Sequence, residues 1–206
     1  MRKATRIVST VLGILAGIAG LEHGFFETLQ GNTRPAGLMF PSWGPQVCDP
    51  AKIWHACEPA MSVLPNFLAT GILTLVLSLV VLVWSAAYIQ GKAGGVVLIV
   101  LCVARLLLGG GFFPPLIGLV AGAAATAILK PFSRPPSGLQ RFIARLWPWP
   151  LVLLTAWLVL QFPVGALFND WLKSIMGLAL VFIVVMLPVS VWCANARDAV
   201  NAAGRN

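Results

Sequence analysis

Apolar residues run in long blocks along this chain, and short polar or proline-rich breaks separate them. A bilayer's hydrocarbon core takes roughly 20 apolar residues of helix to cross. Block lengths predict helical spans at 7–29, 66–89, 94–110, 113–130, 149–168 and 174–195. Gly109, Gly110, Gly111, Phe112, Phe113, Pro114 and Pro115 join the third and fourth spans almost without a loop. Two adjacent prolines cannot continue a helix interior without losing backbone hydrogen bonds, so a turn belongs there. A re-entrant pair is the alternative to two full spans. The expectation is an all-α, polytopic integral membrane protein. It forms one domain over 1–206, with six transmembrane helices grouped four plus two.

Two segments depart from the block pattern. The linker 131–150 contains "SGLQRFIARLWPWP", where Leu139, Phe142, Ile143 and Leu146 recur at helical spacing. Gln140, Arg141 and Arg145 project from other faces. The pattern predicts a short amphipathic helix in the cytoplasmic interface, with Arg141 and Arg145 near the anionic leaflet and Trp147 and Trp149 in the aromatic belt. Its role is open between a plain connector and a lipid-sensing or partner-docking helix. The loop 31–65 is rich in proline and glycine but also carries Leu38, Met39, Phe40, Trp43, Ile53, Trp54 and Met61. So many apolar groups predict an outer loop folded back as a cap over the helix ends.

Composition strengthens the membrane reading. The chain is 59% hydrophobic and 10% charged, against about 25% charged in soluble domains. The net charge of +8 does not mark a nucleic-acid surface, because its basic residues cluster in short segments between apolar blocks. With the N-terminus inside, cytoplasmic segments hold Arg2, Lys3, Arg6, Lys92, Lys130, Arg134, Arg141, Arg145, Arg197 and Arg205. Outer segments hold only Arg34, Lys52 and Lys173, and Arg105 lies within a span. That bias predicts a multi-pass protein of the cell membrane with both termini cytoplasmic. The opening "MRKATR" leads into an apolar run that ends in large and acidic residues, which predicts an uncleaved first span.

Cys48 and Cys57 share the long loop and form a disulfide candidate if that side is oxidising. A redox pair is the sharper alternative, but the C-x-x-C spacing is missing. With His55 they lack a clear fourth metal ligand, so no metal is expected. Cys102 and Cys193 read as small packing residues. No P-loop, dinucleotide fingerprint, H-E-x-x-H or nucleophile elbow occurs, and no cofactor can be assigned.

The candidate chemistry lies in "GLEHGFFETLQGN" at the end of the first span. At about 100° per residue, Gly13, Gly17, Gly20 and Gly24 form a seam that lets another helix approach closely. Glu27 continues the seam and His23 lies beside it, four residues apart and able to meet. Glu22 points to nearly the opposite side. Arg105 sits inside the third span, where an unpaired charge costs at least about 2.5–3.5 kcal/mol. Glu22 is the expected partner, with Glu27 second. Asn66 opens the second span as an N-cap or as part of a polar cluster with His23 and Glu27.

Three functions fit these residues. One is a small transporter or ligand-binding protein, with Glu22, His23, Glu27, Asn66 and Arg105 around an outward-facing pocket for a proton, small molecule or lipid. Another is a membrane enzyme on a lipid or isoprenoid substrate, with His23 as acid/base and a carboxylate as orienter. The third is an accessory subunit whose glycine seams serve partner helices or a second copy of the chain.

Overall fold

A computed structural model describes residues 1–35, 37–41 and 58–204. Helix α1 (Lys3–Thr28) is followed by strands β1 (Met39–Pro41) and β2 (Pro59–Met61). Next come α2 (Phe67–Ala87), α3 (Gly94–Leu107), α4 (Phe113–Ala125), α5 (Gly138–Ile143) and a 3-10 turn at Ala144–Leu146. The chain ends with α6 (Trp149–Leu167), α7 (Asn169–Ser174) and α8 (Met176–Ala203). The fold is all-helical apart from the small hairpin, and four helical segments are long and apolar enough to cross a membrane. They are α1, α2, α8 and the stretch containing α6. The 14 residues of α3 and 13 of α4 extend about 20 Å each at 1.5 Å per residue, short of a core about 30 Å thick.

The glycine seam of α1 packs on α2. A side chain at Gly17 would come within 2.8–3.0 Å of Leu82, backbone included. Two turns on, Gly24 and Gly71 meet backbone to backbone. Small residues give the same closeness to α3 and α4, where Gly95 lies against the Gly122 carbonyl. Such close approach is how helices gain packing without a solvent-driven core. Val8, Leu12, Val81, Leu98, Ile117, Leu154 and Leu187 fill the apolar centre where six helices converge. Cys102 and Cys193 are free and buried, as packing residues should be.

The α5 segment forms with a capping box between Ser137 and Gln140. Its apolar stripe divides, however. Ile143 packs on Cys193 and Ala196 of α8, while Leu139, Phe142 and Leu146 stay exposed. The disulfide candidate Cys48 and Cys57, with His55, lies outside the described residues. What is described of the long loop is the antiparallel hairpin, with Phe40 opposite Ala60 and its ring edge-on to Phe67.

At the opposite end, α8 caps α1. The Asp198 carboxylate accepts from the amides of Ala4 (3.0 Å) and Thr5 (2.8 Å) and from the Thr5 hydroxyl (2.9 Å). Arg2 donates to the Lys130 carbonyl and the Asn195 side chain, and its guanidinium stacks 3.8 Å above the Phe132 ring. The first amides of α1 have no partner in their own helix, so a distant residue supplies it. Asp198→Ala orphans three buried donors, at about 1–3 kcal/mol each. We expect a loss of about 2 kcal/mol or more in mixed-micelle unfolding, and an unchanged midpoint would contradict the cap.

Candidate functional site

The residues singled out in α1 separate onto two sides of the helix. On the seam side His23, Glu27 and Arg105 are sealed, at 3%, 0% and 0% exposure. Each packs on one glycine of the turn between α3 and α4. A side chain at Gly109 would lie 2.6 Å from a Glu27 oxygen, at Gly110 2.3 Å from Arg105 Cγ, and at Gly111 2.7 Å from the His23 ring. Gly109 and Gly111 also adopt φ of +98° and +69°, which glycine enters without steric cost. The triple glycine is therefore a cradle as well as a turn.

Arg105 corrects the expected ion pair. Its Nη1 donates to the Ala16 carbonyl at 2.8 Å and to the Ser78 hydroxyl at 3.4 Å. Among the described residues no ion pair joins it to Glu22 or Glu27; the one present is Asp170–Lys173. Gly20 makes the room, since a side chain there would sit 2.5 Å from Nη1. The reason is geometric: the guanidinium lies against the glycine seam, where the nearest acceptors are a backbone carbonyl and a hydroxyl from α2. Nε and Nη2 of Arg105, Nε2 of His23 and both Glu27 oxygens are buried without hydrogen-bond partners.

The strand β2 pins this cradle from above. Val63 N–H donates to Leu107 O (3.0 Å), and Gly109 N–H donates to Met61 O (2.8 Å). Thr74 of α2 adds a hydroxyl bond to Leu108 O at 3.3 Å. Asn66 is the N-cap of α2, accepting from Ala69 N–H at 3.0 Å, and its amide donates to Asn32. It is not placed within the His23–Glu27 cluster by any described contact.

The other side of α1 faces a cavity of about 430 Å³ between α1, α4, α6 and α8. That size falls within the range of small-molecule sites, roughly 300–1,000 Å³. Leu15, Ile18, Ala19 and Glu22 present one helical stripe to it. Glu58 and Pro59, at the start of β2, close the same end as Glu22. The remaining wall is mainly aliphatic and aromatic, with Gln161 as a further polar group. Glu22 is thus the one predicted site residue that reaches the cavity. His23, Glu27, Asn66 and Arg105 do not line it among the described residues, which corrects the pocket expected around them. Sequence reasoning missed Glu58 and Gln161. The i, i+3, i+4, i+7 stripe ending in Glu22 was the available signal.

Among the described residues no group of three metal-ligating side chains occurs. Neither a protein-family model, nor a curated protein, nor a solved structure matches this chain, so its own residues carry the functional reading.

Proposed function

We propose that the chain is a membrane-embedded binding protein for an amphiphilic small molecule or lipid. The apolar part of the ligand occupies the cavity between α1, α4, α6 and α8, and its polar end lies beside Glu22 and Glu58. One observation carries this reading: a ligand-sized apolar chamber that ends in two carboxylates from separate elements. The positive-inside bias supports cytoplasmic termini, which puts the hairpin and the carboxylates at the outer face. Helices α1, α2, α6 and α8 then cross fully. Helices α3 and α4 complete the six passes as a shorter hairpin from the cytoplasmic side, its triglycine tip meeting β2. The exposed Leu139, Phe142 and Leu146 beside α5 enter the cytoplasmic interface, with Arg141 and Arg145 toward anionic head groups.

The acid/base reading of His23 has little support, because His23 does not line the cavity. The sealed cluster instead serves architecture, by locking the triglycine turn against α1. Substituting Ala19→Phe puts a ring into the chamber without touching the glycine seam. The expected result is a loss of at least tenfold in saturable labelling by a photoreactive alkyl probe, with the unfolding midpoint little changed. Labelling spread evenly over the lipid face of α2, unaffected by Ala19→Phe, would count against the site.

A further inference from the structure

We infer that the cytoplasmic end of the bundle holds a site for the phosphate of an anionic phospholipid, between the start of α1 and the segment after α4; its depth rests on the interfacial placement of α5 proposed above. A cavity of about 300 Å³ lies there, with Arg2, Lys130, Phe132 and Asp198 in its wall. Arg2 is held in place before any ligand arrives. Its backbone amide donates to the Ile128 carbonyl at 2.9 Å. Its Nε donates to Lys130 O at 2.9 Å, Nη1 to Asn195 Oδ1 at 3.0 Å and Nη2 to Pro131 O at 3.3 Å, with the guanidinium over the Phe132 ring. All three of these acceptors are neutral. A guanidinium carries five N–H donors, so one on each Nη is left for a ligand.

Lys130 adds a second cation. It is exposed, and among the described residues its ammonium makes no hydrogen bond or ion pair. Asp198 is the one acid in the wall among the described residues. Both of its oxygens accept from Ala4 and Thr5 of α1, so it is committed to the cap. Two cations therefore stand against one engaged carboxylate, and an oxyanion meets N–H donors and opposite charge at the same point. The level of the cavity singles out a lipid. Ile143 of α5 packs on Cys193 and Ala196 of α8, and Asp198 follows Ala196 by two residues, about 3 Å along the axis. The exposed Leu139, Phe142 and Leu146 place α5 in the interface. Basic pockets at that level on the cytoplasmic side take lipid head groups. Met1, Phe132 and Ala202 give the same cavity an apolar wall, which suits a head carried on a glyceride better than a freely hydrated anion.

Native mass spectrometry of the full chain, released from micelles with dioleoyl phosphatidic acid or dioleoyl phosphatidylcholine, tests this. Matched tails leave the head as the only difference. We expect the first phosphatidic acid to bind with a Kd at least tenfold below that of phosphatidylcholine. Lys130→Gln, at an exposed position, should bring the ratio to within threefold, and Lys130→Arg should keep it. Arg141→Gln with Arg145→Gln removes cations from α5 instead and should leave the ratio within twofold of wild type. Equal binding of the two lipids by the wild type overturns the inference, as does a preference that Lys130→Gln leaves intact. Millimolar inorganic phosphate separates the two sources of the anion, and it should not displace the lipid. Displacement that depends on Lys130 would overturn the lipid as occupant in favour of a soluble phosphate. Bilayer burial of a fluorophore on Phe142→Cys reads the placement of α5 by itself, so the two readings fail separately.

Discussion

Gly111→Val should destabilise the protein by roughly 2–5 kcal/mol. The left-handed backbone at φ +69° costs a side chain about 1–2 kcal/mol. Pressing new methyl groups into the His23 ring, 2.7 Å from the ideal Cβ position, adds about 1–3 kcal/mol of overpacking. Gly31 provides the control. It has φ +70° with nothing within 4 Å of a Cβ, so Gly31→Ala should show the backbone cost alone. Unfolding of both variants in mixed micelles separates the two contributions. Equal losses would mean that the triglycine turn does not press on His23.

Arg105→Ala is the second large effect, at about 2–5 kcal/mol, the range for emptying a well-packed buried site. Arg105→Met, which refills the volume, should cost less than about 1.5 kcal/mol. The reason is that Arg105 bonds a carbonyl and a hydroxyl, so its removal strands no opposite charge. Breaking a true buried ion pair instead costs about 3–5 kcal/mol, because the surviving partner is left uncompensated. A double-mutant cycle of Glu22→Gln with Arg105→Met should accordingly give a coupling near zero, within about 0.5 kcal/mol. A coupling of several kcal/mol would restore the ion pair as the organising contact.

How far the sequence reached differs by residue. Helix positions followed from apolar blocks because a span must be long and apolar. The blocks marked hydrocarbon thickness, though, and not helix ends. Helix α1 starts at Lys3, before its apolar block, because Asp198 caps its first amides. Helix α8 runs on through polar residues to Ala203, carrying Asn195 and Asp198 to the N-terminus. That contact spans more than 190 residues, and no local pattern announces it.

The glycine seam and the opposed direction of Glu22 were legible from 100° per residue alone. The partner of Arg105 was not. Matching charges by depth finds carboxylates, whereas the groups that receive this guanidinium are a helix carbonyl and a serine hydroxyl, neutral and so invisible to charge counting. The triple glycine read as a turn for a sound reason, the prolines after it. Its second task, holding three polar side chains at contact distance, depends on the turn between α3 and α4 lying against α1, which only the fold reveals. The cavity likewise needed four helices brought together before Glu58 could be placed beside Glu22.

The account rests on α1 having one sealed face and one open face at the same depth. Thiol reactivity toward a water-soluble methanethiosulfonate, added from the outer side, reads this directly at Glu22→Cys against Glu27→Cys, with Thr70→Cys as a gentler probe of the sealed side, since Thr70 of α2 is buried and packs with Glu27 on Gly109. A rate at Glu22→Cys at least a hundredfold above both others is the predicted result. Comparable rates at Glu22→Cys and Thr70→Cys, or a faster reaction at Glu27→Cys, would contradict it.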